Sequence, residues 1–122
     1  MSDFRFKDLQ IWKDGIEISD LLFDIADLAD NRRLYKFAEQ LRAAGMSITN
    51  NIAEGAGSFS DKDFANFLNV SRRSVYECAN ILHLFERRKI IDNNKLGELL
   101  NKLVILSKMI TNFRKTLQKI RK

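Results

Sequence analysis

Not one of the 122 residues is proline, and only five are glycine. Proline and glycine are the residues that most reliably interrupt a helix, and a turn-rich β fold depends on both. A chain this poor in them is constrained to long helices joined by short connections. Its length suits one domain spanning residues 1–122, with enough chain to build a hydrophobic core without staples. An apolar fraction of 45% argues against wholesale disorder.

Apolar residues recur at helical spacing in four segments. In the first, from about Asp8 to Ala29, Leu9, Trp12, Ile16, Ser19 and Phe23 make one stripe, and Ile11, Ile18, Leu22 and Ile25 make a second. Together they cover about half the helix circumference, more than the single stripe a bundle contact needs. Deep burial within one bundle and contact with another subunit both explain that width. The second segment, about Leu34 to Glu54, carries Leu34, Phe37, Leu41, Ala44, Ile48 and Ile52. Its cluster Ala43, Ala44, Gly45 and Ser47 would admit a close neighbour. Gly55 and Gly57 are expected to end it in the left-handed conformation.

The third segment begins at Ser60, with Asp63 three residues on as a partial capping box. Its stripe is Phe64, Phe67, Leu68, Ser71, Val75, Cys78, Leu82 and Phe85. It closes at Arg87-Arg88-Lys89, cations suited to a helix C-terminus. The fourth opens at Asp92-Asn93-Asn94, good N-cap types. Its stripe runs from Leu96 through Leu99, Leu100, Leu103, Leu106, Ile110, Phe113 and Leu117 to Ile120. Leu103-Val104-Ile105-Leu106 is apolar nearly all the way round, a second hint of extra buried surface. Short loops between four helices predict an all-α fold: an antiparallel, up-down-up-down four-helix bundle.

Charge is unevenly placed. Residues 1–30 hold eight acidic side chains and three basic ones, whereas residues 99–122 hold seven basic and no acidic ones. Helix-to-helix complementarity, an anionic partner, or both would account for this. Lys108, Lys115, Lys119 and Lys122 share one face of the fourth helix, with Arg114 and Arg121 at the edge of its apolar stripe. With Arg87 and Arg88 they are the candidate nucleic-acid-binding residues, acting on phosphates. A solvated lysine face complementing the acidic first helix is the alternative. With nearly all nine phenylalanines assigned to the core, no aromatic platform for stacking bases is expected.

The inventory for catalysis is thin. His83 is the only histidine, one position beyond the core stripe, and reads as a flank or surface residue. Cys78, the only cysteine, falls within the stripe and reads as a buried thiol, five residues from His83 and on a different face. No disulfide can form within the chain. Glu-x-x-His, which a di-metal bundle needs twice, does not occur. No metal, cofactor or catalytic site is expected. No signal-peptide pattern or membrane-length apolar run is visible, so a cytoplasmic protein with no membrane association is expected.

The segment Ser47 to Gly57 is rich in Ser, Thr and Asn, weak helix formers that can bond to a neighbouring helix or mark fraying into a loop. Here the chain resembles the four-helix bundle family of 23S rRNA intervening-sequence proteins. The resemblance rests on Phe6, Leu9, Trp12 and Lys13 as an opening, then on Gln40, Leu41, Arg42, Ser47, Ile48 and Asn51-Ile52-Ala53-Glu54-Gly55. Ser60, Phe64, Phe67 and Leu68 follow, and Ser74 with Glu77 completes it. The chain departs from the pattern at Gly57-Ser58, where an arginine is usual, at Arg73, where glycine is usual, and at Ala29–Arg33. The resemblance implies a homopentameric ring or barrel and kinship with accessory proteins of diversity-generating retroelements, which bind nucleic acid and a reverse transcriptase. It implies no enzymatic activity. In it, Gln40, Arg42, Ser47, Asn51, Glu54 and Gly55 are structural or interhelical. The expected function is a non-enzymatic, oligomeric protein that binds RNA or DNA backbone, as an accessory factor. A structural or protein-interaction module with no nucleic-acid affinity is the alternative, with a protein as partner.

Overall fold

A computed structural model describes residues 4–119, with Lys119 described as backbone only. Asp3, Ile120, Arg121 and Lys122 lie outside the described residues. A short 3-10 turn at Arg5–Asp8 precedes four helices: α1 (Gln10–Asn31), α2 (Tyr35–Ala56), α3 (Asp61–Arg87) and α4 (Asn93–Lys119). Connections of three to five residues make consecutive helices antiparallel neighbours. Contacts run α1 to α2, α2 to α3 and α3 to α4, with a much sparser seam between α4 and α1. The backbones of diagonal helices do not approach closely, so the four helices stand at the corners of a bundle. Among the described residues no strand occurs.

The starts of α3 and α4 follow the expected chemistry. Ser60 Oγ accepts the Asp63 N–H at 3.1 Å, the one half of a capping box that this sequence forms. Asp92 Oδ1 accepts the Lys95 N–H at 2.8 Å, satisfying a donor that α4 itself cannot. The start of α1 differs from expectation. Asp8 ends the 3-10 turn and the helix begins at Gln10, because the N-terminal segment folds back on the helix. Phe6 meets Trp12 edge-on with centroids 5.1 Å apart, and the Arg5 guanidinium lies over the Phe64 ring at 5.6 Å.

The left-handed glycines expected at the end of α2 are absent. Gly57 has φ −87° and Gly55 lies inside the helix; no described glycine has positive φ. The left-handed positions are instead Arg33 and Lys89, each with φ 61°. They close α1 and α3 in Schellman turns: Leu34 N–H bonds to Ala29 O at 2.9 Å and Ile90 N–H to Phe85 O at 2.8 Å. Gly55 is needed for a different reason. An added Cβ there would sit 2.8 Å from Phe64 Cδ1 and 2.9 Å from Phe67 Cβ. The end of α2 therefore packs against the start of α3 more closely than any side chain allows.

The core is aliphatic. Leu22, Leu41, Ile48, Ile52, Leu68, Leu82, Leu99, Leu103, Leu106 and Ile110 are fully buried, with Phe85 the largest ring among them. On α1 the stripe Ile11, Ile18, Leu22 and Ile25 is buried, whereas Leu9, Trp12, Ile16 and Phe23 are half-buried. The phenylalanines correct the expectation of a phenylalanine core. Only Phe64 and Phe85 are buried; Phe4 and Phe59 are exposed and the others half-buried at the edges of the stripes.

Candidate functional site

The motif-bearing part of α2 meets α3 along a polar seam. Asn51 Nδ2 donates to Ser47 Oγ at 3.1 Å and to the Ser47 carbonyl at 2.8 Å. The Ser47 and Ser74 hydroxyls lie 2.7 Å apart, and Ser74 Oγ donates to Val70 O at 3.1 Å. A hydroxyl has one proton, and Ser74 has spent its own on Val70. Ser47 is therefore the donor to Ser74. The chain of bonds runs in one direction, from Asn51 through Ser47 and Ser74 to a backbone carbonyl. Beside it Ser71 Oγ, fully buried, donates to Ile48 O at 2.7 Å. On the other flank of α2, Ser19 Oγ of α1 donates to Gly45 O at 3.1 Å. Small side chains let the backbones come within reach, and the buried hydroxyls of Ser19 and Ser71 use that proximity. Among the described residues no buried side-chain N or O lacks a partner. Of the weak helix formers here, Ser47 bonds across to α3, while Thr49 and Asn51 bond within α2 to Met46 and Ser47, and the segment does not fray before Ala56.

The other motif residues spread around that helix. Gln40 is exposed and, with Glu77, borders a groove floored by Phe37, Ile81 and Phe85. Glu54 is exposed beside the N-terminal segment. Arg42 faces α1, donating to Asp27 at 2.6 Å and Asp30 at 2.7 Å. These carboxylates, Asp30 foremost, raise the guanidinium's pKa further above its ordinary value. Arg42 therefore answers part of α1's negative charge. Among the described residues no ion pair joins α1 to α4, so the expected helix-to-helix complementarity is absent at that seam.

The candidate basic residues do not form one site. Lys108 and Lys115 are exposed on α4 and have no ion-pair partner among the described residues. Arg114 is half-buried, and its Nε donates to Ala65 O of α3 at 2.9 Å, clasping two helices together. Arg87 and Arg88 end α3 next to the start of α4, roughly 30 Å along the helix axis from Lys115. There the Arg88 carbonyl accepts a bond from Arg32 Nη1 at 3.1 Å. Arg121 and Lys122 lie outside the described residues, as does the side chain of Lys119.

What α4 does gain comes from α3. Tyr76, 59% exposed, lines a shallow apolar groove with Ala79, Leu100, Val104 and Lys108. The Arg72 guanidinium lies 5.0 Å from the Tyr76 ring centroid and bonds to its hydroxyl at 3.4 Å. A cation stacked on an exposed ring, beside a free lysine, was legible only as the Arg72/Tyr76 spacing of four on one helix. Tyr76 is an exposed ring near the basic face that the assignment of the phenylalanines to the core did not address.

Cys78 and His83 are not a pair. Cys78 is fully buried, and burial pushes its thiol up to about 12, with nearby Glu77 adding to the effect. His83 is exposed. Among the described residues no three His, Cys, Asp or Glu side chains converge to hold a metal, and no helix is long and apolar enough to cross a membrane.

Comparison with known proteins agrees with this architecture. The model of the 23S rRNA-intervening sequence protein family matches residues 7–112. Among solved structures, a protein of unknown function from the S23 ribosomal protein family of Bacteroides thetaiotaomicron is similar. It aligns with a TM-score of 0.81 at 22% identity, over 86% of this chain and 98% of its own. Among curated proteins none matches the sequence. The chain belongs to the 23S rRNA-intervening sequence protein family.

Proposed function

We propose that this member of the 23S rRNA-intervening sequence protein family is a non-enzymatic, oligomeric, cytoplasmic protein that holds nucleic acid by its backbone. The observation that carries the reading is the unpaired basic strip along α3 and α4. Lys108 and Lys115 are exposed without carboxylate partners among the described residues, and Arg72 on Tyr76 extends the strip across the α3–α4 groove. Cations that no carboxylate neutralises are available to phosphates, and each phosphate contact releases condensed counterions. Arg72 and Tyr76 together also present a face on which an unpaired base can stack. One subunit offers few such contacts, so affinity requires several copies acting at once.

Fluorescence anisotropy with structured RNA and with duplex DNA, across a salt series, tests this. Binding is expected at low salt, with log K falling by about 0.9 per log unit of salt for each phosphate neutralised on duplex DNA. Lys108→Glu with Lys115→Glu is expected to abolish binding, and Tyr76→Ala to weaken single-stranded targets more than duplex. No binding at low salt by an intact oligomer overturns the proposal and leaves a protein-interaction module.

A further inference from the structure

The solvent face of α3 carries a strip of cations and rings. Arg72, Tyr76, His83 and Arg87 are spaced four, seven and four residues apart. At about 100° per residue they fall within an arc of about 60°, and Arg73 and Asn80 widen it to about 100°. Arg72 is half-buried and the other five are exposed. From Arg72 to Arg87 the strip climbs about 23 Å along the helix axis. No carboxylate lies within it. Glu77 borders the α2–α3 groove on one side, and Glu86 is about a quarter turn away on the other. Among the described residues none of the strip's cations is ion-paired. Arg73 stands where the related pattern usually has glycine, so this chain adds a cation of its own.

The strip ends in a cluster of positive charge. Arg88 and Lys89 follow Arg87 in the α3–α4 turn, and Lys89 has φ 61°, which glycine adopts without the steric cost that a side chain brings. Arg33 does the same in the α1–α2 turn. Arg32 Nη1 ties the two turns together by donating to Arg88 O at 3.1 Å. Both helix-closing positions that suit glycine therefore hold a cation instead.

We infer that the strip is a track for single-stranded nucleic acid, with Tyr76 and His83 stacking on unpaired bases while Arg73, Arg87 and the turn cations hold phosphates. The inference deepens the proposed function and rests on it: it names unpaired strand as the target and adds Arg73, His83 and Arg87 to the contact surface. The two rings stand about 10 Å apart along the axis, an interval of about three bases at about 3.4 Å each. Arg72 lies over the Tyr76 ring and holds it in place, yet the ring is 59% exposed. A duplex keeps its base faces stacked on one another and leaves such rings only backbone to touch. An unpaired base offers its face, so rings along a ridge select single strands.

Fluorescence anisotropy with the full-length chain, on a single strand of about 12 nucleotides and on the duplex of the same sequence, tests this. The single strand is expected to bind about tenfold tighter at equal salt. Tyr76→Ala and His83→Ala are each expected to weaken it by about tenfold. Tyr76→Phe and His83→Phe keep a ring and should retain the affinity. Arg73→Gln and Arg87→Gln should each reduce the slope of log K against log salt by about 0.7 on the single strand. Lys13→Gln, exposed on α1 at the diagonal corner, should leave that slope unchanged. Duplex bound as tightly as single strand, full affinity in His83→Ala, or phenylalanine variants as weak as the alanine ones overturn the inference while nucleic-acid binding stands. No binding of either target by the wild-type chain at low salt overturns the proposed function itself.

Discussion

Gly55→Ala should destabilise the protein, while the same change at Gly97 should stabilise it. Both glycines are helical and near helix ends, Gly55 in the last turn of α2 and Gly97 in the second turn of α4. Alanine is favoured over glycine in a helix by about 1 kcal/mol. At Gly97 nothing lies within 4 Å of an added Cβ, so that gain is expected nearly whole. At Gly55 the methyl would lie 2.8 Å from Phe64 Cδ1 and 2.9 Å from Phe67 Cβ. The Phe64 ring can swing aside; the Phe67 Cβ is fixed to its backbone, so α2 and α3 must part. Overpacking of this kind costs about 1–3 kcal/mol. The two variants should therefore differ by about 2 kcal/mol, which for a chain of 122 residues is roughly 8 °C in Tm. Urea and thermal unfolding by circular dichroism, at one fixed protein concentration, measure the difference. Equal stabilisation by both changes would falsify the claim that Gly55 is held by close helix approach.

Cys78 should be inert to a thiol reagent at pH 8 in the folded protein and react at once in denaturant. Its folded pKa is about 12 against an ordinary 9.0, so the unfolded chain releases the proton first. That contribution to stability is complete below about pH 9 and is lost as pH rises towards 12, which unfolding titrations can follow. Ser71→Ala removes a donor to Ile48 O in a fully buried site and should lower stability by about 1 kcal/mol. Arg114→Ala should reduce stability by a similar amount through the lost bond to Ala65 O, whereas Lys115→Ala should leave unfolding unchanged.

The helices were legible because their signals are local. Ser60 and Asp92 carry cap chemistry that acts within four residues, and the apolar period reports which face turns inward. Three readings needed information that spacing does not hold. Gly55 could serve a left-handed turn or a close approach, and only its neighbours Phe64 and Phe67 decide between them. Arg114 sits at a stripe edge, as a solvated arginine would; its acceptor, Ala65 O, lies 49 residues away. The phenylalanines match helical spacing, yet rings at the edge of a stripe meet solvent at the seams. The polar run from Ser47 to Asn51 was visible as an anomaly. Its partners Ser71 and Ser74 became evident only once α3 lay against it.

The sparse seam between α1 and α4 also bears on how the chain folds and opens. The three close contacts all join helices adjacent in sequence, so each can form as soon as its own hairpin closes. Such local topology favours rapid folding. The one contact that spans the chain from end to end is the weakest, and it adds little when it forms last. Excursions from the native state should begin there, with α4 detaching before the α2–α3 pair loosens. Amide hydrogens of α4 should then exchange sooner than those of α2.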